Sequence, residues 1–138
     1  MILLDTVVLS ELRKARPNAG VVAYLKKQMA DTIFISALTI GEIEAGIERQ
    51  RSQNVGFATE LDQWLVVMEL QFAHCILPVT PAIAKLWGRL YVQTGNKGVD
   101  NLIAATALCH NLTIITRNLK HFEPTGVRVL NPFSPPGK

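Results

Sequence analysis

The sequence predicts an α/β protein built on a mostly parallel five-stranded sheet with helices on both faces. Two observations lead there. Five short apolar runs, at residues 2–4, 32–35, 75–77, 113–116 and 127–130, are separated by stretches of helical period. These runs show little alternation, as expected of parallel strands buried on both sides. The length adds a bound: 138 residues, 49% hydrophobic, suit one compact domain with a real core.

The elements follow in order. The first strand stops at Asp5. Ser10 is placed to cap a short helix with Glu11 and Leu12, and Pro17-Asn18 break the chain before a helix carrying Val21, Val22 and Leu25. Ser36 ends the second strand. Leu38, Ile40, Ile43 and Ile47 mark the next helix, and the polar stretch 49–56 reads as a turn. Phe57, Leu61, Trp64, Leu65, Met68 and Phe72 then recur at spacings of 4, 3, 1, 3 and 4, an apolar stripe of period 3.6. Pro78 closes the third strand, and Pro81 fits the first turn of the helix through Ile83, Leu86, Trp87 and Leu90. After the loop 95–98, an Ala-rich helix spans 99–108 with Asp100 in its first turn, and Asn111 reads as its stop. The strand at 113–116 leads into a loop with Arg117 and Asn118. Residues 131–138 carry three prolines, so the reading is a domain over 1–133 and an irregular tail at 134–138.

Charge and composition exclude several classes. Fourteen Lys and Arg against eleven Asp and Glu give +3, a mild basic bias compatible with nucleic acid. No apolar run approaches the ~18 residues of a membrane span, and Asp5 directly after Met1-Ile2-Leu3-Leu4 leaves no room for a secretory signal. Cys75 and Cys109 lack metal-ligand spacing and read as small buried thiols of a reducing compartment, which points to the cytoplasm.

In an open parallel sheet, sites form beyond the carboxyl ends of strands near the switch in strand order. Asp5 follows the first strand, Glu42 lies early in the helix after the second, Asp100 opens the helix before the fourth, and Asn118 lies just past the fourth. Each has a bland alternative: helix cap, dipole partner or solvated side chain. Three gathered carboxylates repel unless a cation compensates, and all-oxygen donors suit Mg²⁺ or Mn²⁺ rather than zinc. A metal-activated water attacking a phosphodiester is the chemistry this set serves. Thr116 and Asn118 are expected to orient that water or support the acids by hydrogen bonding.

Four segments carry a family resemblance: Met1-Ile2-Leu3-Leu4-Asp5-Thr6, Ser36-Ala37-Leu38-Thr39-Ile40-Gly41-Glu42, residues 100–107 beginning Asp100-Asn101-Leu102-Ile103, and Thr113-Ile114-Ile115-Thr116-Arg117-Asn118. With Phe122 and the closing Asn131-Pro132-Phe133, they resemble PIN-domain proteins, in particular the VapC and FitB toxins, in family order along the chain. The resemblance implies a three-layer α/β/α sandwich and a Mg²⁺- or Mn²⁺-dependent endoribonuclease acting on RNA. It implies a cognate antitoxin encoded beside the toxin, and a homodimer. It assigns Asp5, Glu42 and Asp100 to metal binding and catalysis, with Asn118 and Thr116 at the remaining catalytic positions. Val7 departs from the family's usual Asp-Thr-Asn opening, which leaves a catalytically weakened binding module as an alternative.

Arg117, beside the proposed site, is the first choice for an RNA phosphate contact, ahead of Arg13, Lys14, Arg16 and Lys97. Val66, Val67 and Leu70 lie off the apolar stripe, so that helix needs a second cover, which the resemblance assigns to an antitoxin helix. A phospho-acceptor receiver domain would need an Asp at the end of strand three, where Leu77-Pro78 stands. A haloacid-dehalogenase-like site would need one at position 7. Neither Gly-rich nucleotide-binding motif follows the first strand.

Overall fold

The computed structural model describes residues 1–134. Its five strands are β1 (Ile2–Leu4), β2 (Ile33–Ser36), β3 (Ile76–Leu77), β4 (Thr113–Ile115) and β5 (Val129–Leu130). They form one sheet in the order β3-β2-β1-β4-β5 with every pairing parallel. The helices are α1 (Thr6–Glu11), α2 (Ala19–Lys26), α3 (Ala37–Arg51), α4 (Val55–Gln71), α5 (Pro81–Thr94), α6 (Val99–His110) and α7 (Leu119–Phe122).

The strand pleat sorts the core into two layers. Ile2, Leu4 and Ile115 face one side, where Val8, Leu9, Val21, Ile43, Ile47, Leu65 and Met68 from α1–α4 cover them. Leu3 and Ile114 face the other, under Ile83, Leu90, Ile103, Ala104, Ala107 and Phe122 from α5–α7. Successive residues pointing to opposite faces, both apolar, make the three-layer sandwich. The small side chains of α6 let it lie close to the sheet, with Ala104, Ala105 and Ala107 fully buried.

Polar caps set most helix starts. Asn18, Ser36, Asn54 and Thr80 each accept a backbone N–H from the first turn that follows. Asn111 ends α6 in the left-handed region, at φ 55°.

The structure corrects the sequence reading in five places. Ser10 lies inside α1, and Asp5 is its cap, because the chain turns into helix as soon as the β1 ladder ends. The turn expected at 49–56 is shorter, since α3 runs on to Arg51, whose guanidinium pairs with Glu48 and Asp62. The stretch after Asn118 is not plain loop but α7 and a 3₁₀ turn (Glu123–Thr125), anchored by fully buried Phe122. Cys109, on the last turn of α6, is exposed, and Cys75, in the bend just before β3, is only half-buried; neither is bridged. The last strand shrinks to two residues. Of the irregular tail, Ser134 is described, and 135–138 lie outside the described residues. No described helix is long and apolar enough to cross a membrane.

Candidate active site

Strand order reverses between β1 and β4, and their carboxyl ends lie side by side, with Leu4 opposite Ile115. The Asp5 N–H adds one more ladder bond to the Ile115 carbonyl at 3.0 Å. The chain then turns, leaving the Asp5 carboxylate at the mouth of the β1/β4 pair. Its Oδ1 accepts from the Thr6 N–H and its Oδ2 from the Thr116 hydroxyl, each at 2.8 Å. Asp5 is 6% exposed and Thr116 is fully buried. Thr116 therefore acts through Asp5; of the two roles expected of it, support of an acid by hydrogen bonding is the one this geometry matches.

Glu42 sits on α3, half-buried, and its carboxylate accepts the Thr6 hydroxyl. That hydroxyl also lies 3.4 Å from Thr39 Oγ1. One residue thus serves two acids, the backbone of Thr6 holding Asp5 and its side chain holding Glu42. Asp100, in the first turn of α6, is half-buried, and its Oδ2 lies 3.2 Å from His121 Nδ1 on α7. Asn118 is exposed; its N–H donates to Thr116 Oγ1 at 3.0 Å. Asn118 lines a cavity of about 400 Å³ with Arg117, Lys120 and His121. Asp100 lines an adjoining one of about 380 Å³ with Lys120 and His121.

The electrostatics tie the acids together. Burial is the main force raising the Asp5 carboxyl above its ordinary value; Thr116 and Thr6 pull it back, Asp100 pushes it further up, and His121 relieves it slightly. Asp100 is also raised, first by burial and then by Glu42, against the opposing pull of His121. Asp100 is thus linked to both other acids, acting on Asp5 and acted on by Glu42. They share one field without sharing one ligand shell: among the described residues, no three His, Cys, Asp or Glu side chains are gathered closely enough to hold a metal. Glu42 is drawn aside by Thr6. The donors are nonetheless all carboxylate oxygens, and that chemistry fits a hard divalent cation that keeps part of its water.

Val7, the departure from the expected opening, packs against the core under α1–α4. Both Asp5 oxygens are already bonded without it. The basic residues divide. Arg13 lies over the Phe57 ring, 5.5 Å from its centroid, and lines a cavity of about 230 Å³ with Thr6 and Glu42. Lys14 is paired with Glu11 at 2.9 Å. Arg16 and Lys97 are exposed. Arg117 stacks on Phe133, 3.8 Å from the ring centroid.

Sequence reasoning missed Thr6, Lys120 and His121. Thr6 stood in the first motif but gave no sign that it would hold Glu42, thirty-six residues away. His121 fell in a stretch read as loop; its spacing of three from Asn118, the step of a helical turn, was the available signal.

Comparison with known proteins agrees with this geometry. The family model described as PIN domain matches residues 2–125. Toxin FitB of Neisseria gonorrhoeae is 35% identical, over 96% of this chain and 99% of that protein. The VapC ribonuclease Y4jK of Sinorhizobium fredii is 32% identical, over 98% of this chain and 99% of its own length. The crystal structure of FitAcB from Neisseria gonorrhoeae superposes with a TM-score of 0.78 at 34% identity, covering 96% of this chain and 98% of that one. With acids from β1, α3 and α6 meeting in one field beyond a five-stranded parallel sheet, the chain belongs to the PIN-domain family, alongside the VapC and FitB toxins.

Proposed function

We propose that this chain is the toxin of a toxin–antitoxin pair and a Mg²⁺- or Mn²⁺-dependent endoribonuclease. The observation that carries this reading is the pair Asp5 and Asp100. They lie 95 positions apart in the chain, yet the charge of Asp100 raises the proton affinity of Asp5 at the sheet's switch point, and burial raises that of both. A fold keeps such an arrangement at a cost to its own stability, and charge-compensated chemistry explains it. The names of the relatives, a ribonuclease and a toxin, point the same way.

Asp5, Asp100 and Glu42 are the residues that would hold the ion. When bound, the ion supplies a counter-charge for the phosphate and acidifies water. The chain supplies the rest. Thr116 and the Thr6 N–H fix the Asp5 carboxylate in one orientation. The Thr6 hydroxyl holds Glu42. The exposed Asn118 amide offers a donor and an acceptor to substrate or water at the cavity rim. Arg117 pairs with an RNA phosphate. On α4, Val66, Val67 and Leu70 are 56%, 46% and 73% exposed, an apolar face for an antitoxin helix. The toxin works as a homodimer in the cytoplasm, where its RNA substrate is found.

The test is cleavage of a labelled RNA in Mg²⁺ or Mn²⁺. Asp5→Asn and Asp100→Asn are expected to lose activity by at least about 10³-fold while the circular dichroism spectrum stays native, and EDTA is expected to stop the wild type. Cleavage that survives either substitution, or EDTA, overturns the assignment. For the pairing, expression alone is expected to arrest growth and the product of the adjoining reading frame to restore it.

A further inference from the structure

Residues 131–134 are fastened near the site. After β5, the segment 131–134 crosses the start of α2. Ser134 donates its N–H to Asn18 Oδ1 at 2.9 Å, and Asn18 Nδ2 donates back to the Ser134 carbonyl at 3.3 Å. Gly20 makes this crossing possible. A Cβ there would lie 2.4 Å from the Pro132 carbonyl oxygen and 2.7 Å from the Ser134 nitrogen, so any larger residue displaces backbone. The segment lodges the Phe133 ring against the core under α1–α4, and the Arg117 guanidinium stacks on that ring at 3.8 Å.

Arg117 stands between Thr116, which holds Asp5, and Asn118, which lines the cavity. Among the described residues it belongs to none of the four ion pairs. A guanidinium stacked by its face keeps its edge N–H donors free, in the fork geometry that matches a phosphate. Held in place, it also loses less side-chain freedom on binding than a loose arginine would.

We propose that Asn18, Gly20 and Phe133 form a clamp that positions Arg117 to pair with a backbone phosphate of bound RNA beside the acidic site. Phe133 is a positioning residue here, because it acts through Arg117 and need not touch RNA. This rests on the ribonuclease reading above.

The experiment has two arms. In the first, kcat and KM for RNA cleavage are compared for wild type, Arg117→Ala, Phe133→Ala, Phe133→Trp and Gly20→Ala. In the second, fluorescence anisotropy follows a labelled single-stranded RNA binding to the same variants on an Asp100→Asn background, across a salt series. Arg117→Ala and Phe133→Ala are each expected to raise KM and Kd by about three- to tenfold with little change in kcat. Each should reduce the slope of log affinity against log salt by about 0.7, the share of one phosphate on a single strand. The double variant Arg117→Ala with Phe133→Ala, measured in both arms, is expected to be no worse than either single one. Phe133→Trp should keep wild-type values, because its ring still stacks. Gly20→Ala touches neither Arg117 nor the ring and should reproduce the Phe133→Ala effect, which covers the case in which Phe133→Ala folds poorly.

Unchanged Kd and slope in Gly20→Ala, or full additivity in the double variant, would overturn the clamp. A wild type that binds RNA but never cleaves it removes the ribonuclease reading while the anisotropy arm still decides the clamp. A wild type that neither binds nor cleaves removes both.

Discussion

Two groups of carboxylates in this molecule stand in opposite circumstances. On the α3–α4 hairpin, Arg51 lies 2.9 Å from Glu48 and 3.0 Å from Asp62, with Glu48 exposed and Arg51 and Asp62 in partial contact with solvent. There, opposite charges meet in water, and the arrangement adds little to stability. At the end of β1 and the start of α6, Asp5 is buried and Asp100 half-buried, like charges in one field that hydrogen bonds from Thr116 and Thr6 to Asp5, and the nearby His121, offset in part. Asp5 caps α1 and so serves the fold, but capping does not call for the charge of Asp100 beside it. The difference separates a surface that happens to be charged from a site kept charged against its own stability.

The largest break in that comparison is Thr116→Val, which keeps shape and removes the hydroxyl from Asp5 Oδ2. Loss of such a supporting bond is expected to lower divalent-ion affinity or cleavage by about 10- to 100-fold, read by titration calorimetry with Mn²⁺ and by RNA cleavage. Wild-type affinity in this variant would show that Asp5 needs no support.

A smaller effect sharpens the electrostatic side. In the metal-free protein, the folded forms of Asp5 and Asp100 hold their protons to higher pH than the unfolded chain does. The folded state therefore binds more protons just above the ordinary carboxylate value of 3.8, and stability is lost as pH rises through the raised pKa values. Asp100→Asn is expected to flatten that fall and to raise the metal-free melting temperature at neutral pH by about 1–3 °C, modest because Asp100 is partly solvated. A lower melting temperature would mean that the His121 pairing outweighs the repulsion. The smallest effect belongs to the hairpin: Arg51→Ala is expected to leave cleavage unchanged and to move the melting temperature by no more than about a degree.

Much of the frame was legible because it rests on local rules. Periodicity located four of the strands closely and the long helices, and turn chemistry placed the stop at Asn111 and the N-terminal Pro81. The acids themselves were legible by their positions relative to strand ends, reinforced by the family resemblance. Their supports were not. Thr6 reaches Glu42, and Thr116 reaches Asp5 across 111 positions; such bonds depend on strand register and helix direction, which no local pattern encodes. Likewise α7 is four residues long, too short for periodicity to reveal, so His121 went unread.

The sequence by itself determined which segments bury themselves and which residues carry negative charge, because burial and ionisation are properties of side chains and their near neighbours. Only the tertiary structure decided who faces whom. It set Asp100 against Asp5 and Glu42, tied His121 to Asp100, and folded residues 131–134 across Gly20 so that Phe133 meets Arg117. Electrostatic energy varies with distance and with the surrounding dielectric, and both are fixed only when the strands have taken their places in the sheet.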